Sequence, residues 1–185
     1  MESADAPGAG TPGAQELRGS VDRSLGRASD AALRTGNRLT LLQHGTETYE
    51  KCLEEIRRAE SWIHMNYFIF KSDDIGRRFA EAIKAKARES VAVRVLYDWM
   101  GNFAVPGDFW RDLRRARVET RVVNAPAPGR TLGLIRRDHR KILGVYGRYA
   151  SVSGLCIADQ WLGMLSGTRR SRWWAGPAST TRRAP

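Results

Sequence analysis

Residues 139–161, HRKILGVYGRYASVSGLCIADQW, are the part of the chain that decides the fold. They begin with His139 and Lys141, two residues apart, and continue as two apolar runs separated by Gly147 and Arg148. Residues i and i+2 of a β-strand project from the same face, so the imidazole and the ammonium are expected to point into one site. An imidazole can attack phosphorus and an ammonium can hold phosphate oxygens, which suits phosphoryl chemistry. For an isolated pair with this spacing, a basic strand edge beside a loop is the commoner interpretation.

The whole stretch resembles the signature of the phospholipase D superfamily, and most closely its cardiolipin synthase branch. That signature runs His-x-Lys, four residues, Asp, six residues, Gly-Gly or Gly-Ser, one residue and Asn. Three positions depart from it: the motif aspartate is Tyr146, the first glycine of the pair is Ser153, and the asparagine is Cys156. The positions that match or fall in register are His139, Lys141, Gly147, Arg148, Gly154, Leu155, Ile157 and Asp159.

Other segments extend the resemblance, in the family's order, over residues 37–161. They are an opening strand at 38–42 followed by Gly45, a strand at 61–70 (SWIHMNYFIF), a helix start at 74–79 (DIGRRF), and strands at 93–98 and 118–124. The resemblance implies the phospholipase D fold, an α/β/α sandwich in which a mixed sheet is flanked by helices. Because only one motif is present, it implies a single, first half of that fold.

The periodicity of the chain predicts the same α/β class. Strands and helices alternate along it, which is typical of a sheet covered by helices. Thr46 or Thr48 is a candidate N-cap for the first helix of this region, and Ser72 or Asp73 for the second. The predicted strands are 38–43, 62–70, 91–97, 118–123, 142–145 and 149–152, and the predicted helices are 46–60, 73–88 and 106–117.

Composition divides the chain into three segments. Residues 1–36 predict a disordered start, followed by a weak surface helix at 15–34 that ends at Gly36 and Asn37. Residues 37–161 are the phospholipase D-like domain. Residues 162–185 form an atypical tail with five arginines, two adjacent tryptophans and no acidic residue after Leu162. Family members continue here with a strand and a second His-x-Lys half, so the resemblance implies a truncated enzyme, by a reading-frame shift near Gly163 or by recruitment of a binding tail.

The charge balance favours polyanionic partners. Lys and Arg number 31 against 20 Asp and Glu, which gives a net charge of +11 and a pI near 10.4. Nucleic acid and the anionic face of a membrane are both compatible with this, as is a simple solvated basic surface. Cys52 and Cys156 set no disulfide framework and are typical of a reducing compartment.

Neither a signal peptide nor a membrane-spanning apolar stretch of about 18–20 residues is recognisable in the sequence. We therefore expect a cytoplasmic protein or one held peripherally at the inner face of a membrane.

The family resemblance implies a two-step displacement without metal or cofactor. One motif histidine attacks the phosphodiester to form a phosphohistidine, and a second, from another half or subunit, serves as acid and then base. On this basis His139 is the candidate nucleophile or acid and Lys141 the phosphate clamp. Ser153, Gly154 and Cys156 occupy the substrate-binding positions, with Cys156 a weaker donor than an asparagine amide. The sequence has no metal-ligand spacing.

Three further polar residues have less specific interpretations. His44 is expected in a loop or at the surface. His64 is expected as a satisfied polar residue within a buried strand, on the face that also carries Asn66 and Phe68. Asp98 ends a strand where α/β sites usually form, so it either lines the pocket or caps a turn.

Three functions remain open from the sequence. The first is a phosphatidyltransferase or phosphodiesterase of cardiolipin synthase type, acting on anionic phospholipid and inactive unless a second copy supplies another His139. The second is a single-motif homodimeric nuclease, which the likeness to the lipid branch makes less favoured. The third is a non-catalytic remnant.

Overall fold

The computed structural model describes residues 12–30, 36–126 and 137–162. The chain divides into two compact units, Met1–Leu41 and Leu42–Pro185. Predictions for residues 1–11 and for the loop residues 127–136 lie outside the described part, as does the predicted tail beyond Leu162.

The first unit contains one long helix, α1 (Pro12–Ser29). Its leucines are exposed, Leu17 by 66% and Leu25 by 62%, as expected for a surface helix. The predicted end at Gly36 and Asn37 is wrong. Asp30 follows α1 with a φ of 51°, and this left-handed conformation is one that ends helices.

The predicted opening strand at 38–43 is also wrong. These residues form no strand, and Leu39 and Leu41 are 97% and 82% exposed. A strand needs a partner for its backbone ladder, and neither edge strand of the described sheet pairs with this segment.

The second unit is a mixed five-stranded sheet with helices, which confirms the predicted fold class. The strand order is β3-β2-β1-β4-β5. Strands β1, β2 and β3 are parallel, whereas β4 is antiparallel to both β1 and β5. The elements are α2 (Gly45–Arg57), β1 (Trp62–Tyr67), α3 (Asp74–Arg88), β2 (Ala92–Asp98), α4 (Trp99–Asn102), α5 (Gly107–Arg115), β3 (Glu119–Val123), β4 (Lys141–Val145), β5 (Tyr149–Val152) and a 3-10 turn, Asp159–Trp161.

One hydrophobic core joins α2, α3 and α5 to the sheet. Strand β1 contributes Ile63, Met65 and Tyr67, which alternate with less buried residues. Burying an aliphatic side chain of this size stabilises the fold by about 1.5–3 kcal/mol. The predicted buried strand is therefore buried on one face only, the face of the odd-numbered residues that these helices cover.

His64 lies on the other face of β1 and is exposed, contrary to the expected burial. Its ring stacks on Trp62 with a centroid distance of 4.6 Å. The predicted alternation is confirmed, since Asn66 is also less buried than Met65 and Tyr67. His44 is exposed as expected and precedes α2 as its N-cap residue.

Strand β1 ends at Tyr67, earlier than predicted, because Asn102 binds the backbone of the residues that follow. The Asn102 side-chain oxygen accepts the N–H of Phe70 at 2.7 Å, and its nitrogen donates to the Phe68 carbonyl at 2.8 Å. Gly101 permits this approach, since a Cβ there would lie 2.0 Å from the Phe68 oxygen. The regular strand therefore ends at Tyr67, and Phe68 keeps a backbone hydrogen bond, from its N–H to the Arg140 carbonyl.

The predicted caps of the two helices have different outcomes. Neither Thr46 nor Thr48 caps α2: the helix begins at Gly45, and the Thr48 hydroxyl donates to the His44 carbonyl at 2.8 Å. Asp73 caps α3 as predicted, because its carboxylate accepts the Gly76 N–H at 3.0 Å.

The final segment of the motif is tied to the same helix start. Asp159 accepts the N–H of Ile75 at 2.8 Å, and its own N–H donates to Asp73 at 2.9 Å. A carboxylate at a helix N-terminus is favourable, and here two carboxylates share it. The agreement with the family signature at Asp159 therefore has a structural explanation.

The β4–β5 hairpin is confirmed, and its turn places Tyr146 in a costly conformation. Tyr146 and Gly147 have φ values of 47° and 66°, and the Arg148 N–H donates to the Val145 carbonyl at 3.1 Å. Positive φ suits glycine, asparagine and aspartate but disfavours bulky residues. The departure from the motif aspartate therefore strains the turn.

Replacing Tyr146 by asparagine should stabilise the protein. We expect Tyr146→Asn to raise the free energy of unfolding in urea by about 0.5–1 kcal/mol, because asparagine tolerates positive φ. Arg148→Ala is the matched control, since it removes the Arg148 contact with the Tyr146 ring, 5.8 Å from the centroid, and leaves the backbone conformation alone. If Tyr146→Asn lowered stability as much as Arg148→Ala, the claim that the positive φ of Tyr146 costs stability would be contradicted.

Candidate active site

The sheet topology brings the His-x-Lys segment to the carboxyl ends of the parallel strands. Strands β1 and β2 end at Tyr67 and Asp98 on this edge. Because β4 runs antiparallel to β1, its first residue, Lys141, pairs with Tyr67 at the same edge. Ligand sites of α/β sheets usually form outside the carboxyl ends of the strands.

Asp98 is the buried anchor of this edge, with 1% of its surface exposed. One carboxylate oxygen caps α4 by accepting the Met100 N–H at 2.9 Å. The other accepts the backbone N–H of Asp138 at 3.0 Å and the side-chain N–H of Asn124 at 2.7 Å. A buried carboxylate is costly unless donors surround it, and here three separate segments supply them. The predicted cap is confirmed, and the same group also holds the His-x-Lys segment.

Asn124 and Asp138 are residues of the site that sequence reasoning missed. Asn124 follows β3 with a φ of 57°, a conformation that asparagine adopts more readily than most residues. An asparagine directly after a strand that ends at this edge was the available signal. Asp138 directly precedes His139, and its hydrogen bonds fix the orientation of the backbone that carries His139.

The Asp138 carboxylate is held from two sides. The Arg140 guanidinium donates to both oxygens, at 2.8 and 2.7 Å, and the Asn66 side-chain nitrogen donates at 3.1 Å. The hydrogen bonds from Arg140 hold the pKa of the Asp138 carboxyl well below its ordinary value, against the opposing effect of burial. Only 13% of the Asp138 side chain is exposed, against 65% for Arg140, so the carboxylate lies inside the fold and the guanidinium covers it from the surface.

His139 and Lys141 meet over Phe68, as the i, i+2 spacing predicts. The exposed His139 ring stacks on Phe68 with centroids 4.2 Å apart and planes 19° from parallel. The Lys141 ammonium lies 5.6 Å from the centroid of the same ring and donates to the His139 carbonyl at 2.6 Å. Phe68 is in turn fixed by its N–H, which donates to the Arg140 carbonyl at 3.1 Å.

Ser153 and Gly154 lie beside this pair. The Ser153 N–H donates to the Lys141 carbonyl at 3.1 Å, which continues the β4–β5 ladder to the site. Its hydroxyl forms a local turn, accepting the Leu155 N–H at 3.2 Å and donating to the Leu155 carbonyl at 3.1 Å. Gly154 is exposed, and a Cβ there would meet nothing within 4 Å.

Cys156 is turned towards the core and is 1% exposed. Burial raises the pKa of its thiol, and the nearby Lys141 ammonium opposes that rise. The Cys156 carbonyl accepts the Tyr49 hydroxyl at 2.6 Å, which ties this segment to α2. Cys52 is buried on the same helix, as expected for a small core residue.

Asn66 presents a buried acceptor without a partner. Its side-chain nitrogen binds Asp138, whereas its Oδ1 has no hydrogen bond within residues 12–30, 36–126 and 137–162. Unsatisfied buried polar atoms are rare and costly. Sequence reasoning placed Asn66 on the correct face of β1 but gave it no role.

Comparison with known proteins assigns the family. No protein-family model matches. The chain is 33% identical over 130 residues to the major cardiolipin synthase ClsA of Bacillus subtilis (strain 168), which covers 69% of this chain and 27% of that protein. It is 38% identical over 125 residues to the cardiolipin synthase of Alkalihalophilus pseudofirmus, with 66% and 25% covered. The structure is similar to phosphatidylserine synthase from Haemophilus influenzae Rd KW20, with a TM-score of 0.54, 20% identity, and 66% and 29% covered.

The fold and the site thus define an α/β domain with an imidazole and an ammonium at the carboxyl edge of its sheet. The chain belongs to the phospholipase D superfamily, in its cardiolipin synthase-like branch. It spans about a quarter of the length of the curated relatives named above. In the described part of the chain, no helix is both long enough and apolar enough to span a bilayer.

The ion pair between Asp138 and Arg140 should make stability fall at low pH. The pKa of the Asp138 carboxyl is lower in the folded protein than its unfolded value of about 3.9. Its contribution is therefore complete above that value and is lost as the pH falls below it. We expect Asp138→Asn to lower the free energy of unfolding at pH 7 by about 1 kcal/mol and to flatten its decline below about pH 4.

Asp108→Asn is the matched control, because Asp108 pairs with Arg111 on α5 with 80% of its side chain exposed. Urea unfolding at a series of pH values measures both variants. If the free energy of unfolding of Asp138→Asn depended on pH as that of the wild type does, a stabilising ion pair between Asp138 and Arg140 would be contradicted.

Proposed function

We propose that this chain is a phosphatidyltransferase domain that acts on phospholipid phosphodiesters through a phosphohistidine at His139. The observation that carries the proposal is the placement of His139 and Lys141 over Phe68, at the carboxyl ends of the parallel strands. The similarity of the chain to cardiolipin synthases supports it. The net charge of +11 supports an anionic substrate and peripheral contact with an anionic membrane.

The reaction proceeds by two displacements. An imidazole nitrogen of His139 attacks phosphorus, the P–N bond forms, and the P–O bond to the leaving alkoxide breaks. A proton donor protonates the alkoxide. An acceptor hydroxyl then attacks the phosphohistidine, loses its proton to the same group, and releases His139. The Lys141 ammonium stabilises the charge on the phosphoryl oxygens in both steps.

The acid and base of these steps is a second His139, supplied by another copy of the chain in a homodimer. His64 is an unsuitable donor, because it lies four residues before Phe68 along β1, about 13 Å away at the rise of a strand. His44 is the N-cap residue of α2, and in the described part of the chain no hydrogen bond or ring contact joins it to Phe68. Two copies that face each other at their carboxyl edges bring two imidazoles to one phosphorus.

The substrate-binding positions contribute to phosphate recognition in different ways. The open space beside Gly154 lets a phosphate approach the backbone closely. The Ser153 hydroxyl already binds Leu155 and has to exchange that contact for a phosphate oxygen. The buried Cys156 is a weak donor. These departures make turnover slower than an asparagine-containing motif allows.

Incubation of the purified chain with phosphatidylglycerol vesicles tests the function. We expect cardiolipin and glycerol to form, and His139→Ala and Lys141→Ala each to lower the rate by about a hundredfold or more. His64→Ala is the control, because it removes an exposed histidine outside the site, and we expect no change in rate. Activity that survives His139→Ala, or a wild-type chain without transfer activity, would contradict the proposal.

Incubation of the chain with single-stranded DNA tests the alternative function, that of a nuclease. We expect no cleavage of the DNA. Light scattering during size-exclusion chromatography tests the second imidazole, for which a dimer is the expected result. A strict monomer would overturn the homodimeric form of the mechanism.

A further inference from the structure

We propose that the chain has a second site for a phosphate group, at the opposite edge of the sheet from His139. A cavity of about 390 Å³ lies there, lined by Arg88, Asp112, Arg115, Ala116 and Arg117. Nothing in the phosphohistidine chemistry uses these residues. The proposal stands on the position, the charge and the shape of this cavity, which we call the arginine cavity.

The arginine cavity is far from the His-x-Lys pair. Arg88 is the last residue of α3, and Arg115 is the last residue of α5. These helices lead into the first residues of β2 and β3, so their ends lie at the amino edge of the parallel strands. The seven residues of β2 separate this edge from Asp98 by about 20 Å. A ligand in the cavity is therefore distinct from one bound at Lys141.

The Asp112 carboxylate in the cavity is hydrogen-bonded to a lysine of the neighbouring helix α3. Asp112 accepts a hydrogen bond from the Lys84 ammonium at 2.5 Å, and that bond lowers the pKa of the Asp112 carboxyl. Glu81 binds the same ammonium at 2.7 Å. The Lys84 side chain is only 8% exposed, so this pairing is built into the packing between α3 and α5.

In the described part of the chain, none of the three arginines forms a close ion pair, although the Asp112 carboxylate in the same cavity interacts electrostatically with Arg88 and Arg115. Within the described ranges of the chain, Arg88, Arg115 and Arg117 form no ion pair, whereas Arg111 and Arg94 on neighbouring surfaces do. Three like charges around one cavity repel each other, and that repulsion is relieved by an anion. The helix dipole favours an arginine at the C-terminus of each helix, but it does not explain why arginines from α3, α5 and the following turn line one cavity.

The backbone holds Arg117 in an unusual conformation. Its φ is 66°, and the turn is closed by hydrogen bonds from the Arg117 N–H to the Arg114 carbonyl and from the Val118 N–H to the Leu113 carbonyl, both 3.0 Å. Left-handed residues after a helix are usually glycine or asparagine. An arginine at this position costs stability and places a third guanidinium on the cavity rim.

The chemistry of the cavity selects a phosphate group. Guanidinium groups bind phosphate oxygens through paired N–H donors, with a geometry that halide ions cannot match. The volume is within the range of small-ligand pockets, of about 300–1,000 Å³. Free phosphate and the head group of an anionic phospholipid offer the same group, so both are candidate sources.

Calorimetric titration of the full chain with inorganic phosphate, at constant ionic strength, tests the site. We expect a saturable binding step that Arg115→Gln and Arg117→Gln each weaken by about tenfold or more. Arg121→Gln is the matched control: it removes the same charge from an exposed position on β3 and should change binding by about twofold or less. Lys141→Ala should leave the step unchanged, which separates it from binding at the catalytic edge.

Co-sedimentation with vesicles of phosphatidylcholine, with and without phosphatidylglycerol, distinguishes the two sources. Binding to the anionic vesicles that depends on Arg115 identifies a lipid head group, and binding of free phosphate alone identifies a soluble ligand. The proposal is overturned if neither probe binds saturably, or if Arg121→Gln weakens binding as much as Arg115→Gln. It is also overturned if Lys141→Ala alone abolishes the phosphate step.

Discussion

The buried carboxylate of Asp98 is the constraint on which the site depends. It joins the end of β2 to α4 through Met100, to the end of β3 through Asn124, and to the His-x-Lys segment through the Asp138 N–H. The bonded residues are 2 positions from Asp98 in the case of Met100 and 40 positions away in the case of Asp138. These contacts, together with the bonds from Arg140 and Asn66 to the Asp138 carboxylate, hold the backbone that leads into His139, whose exposed ring stacks on Phe68.

A second layer of contacts fixes the surface beneath the histidine. Asn102 binds the backbone on both sides of Ile69, and Gly101 lets α4 approach Phe68 closely. The short helix that Asp98 caps is thus the same element that positions the aromatic platform. One carboxylate therefore controls both the segment that carries the imidazole and the ring on which the imidazole stacks, which explains how the exposed His139 and Lys141 side chains have a defined geometry.

The sequence predicted the parts of this arrangement that depend on local pattern. The i, i+2 spacing predicted that His139 and Lys141 meet, although β4 begins only at Lys141, and side-chain chemistry at a helix start predicted the Asp73 cap. The errors arose where tertiary contacts decide the outcome. The strand at 38–43 lacks a partner, and His64 is exposed because helices cover one face of β1. The ties from Asp98 to Asp138 join residues 40 positions apart, and no periodicity reveals such a pairing.

Amide hydrogen exchange at Asp138 tests the central claim most directly. We expect this amide to be protected in the wild-type chain, and to exchange about tenfold faster or more in Asp98→Asn, where the amide side chain replaces one acceptor oxygen with a donor. Core amides such as that of Val95 should stay protected in both proteins, which shows that the variant is folded. An unprotected Asp138 amide in the wild-type chain, or equal protection in both proteins, would contradict the anchoring role of Asp98.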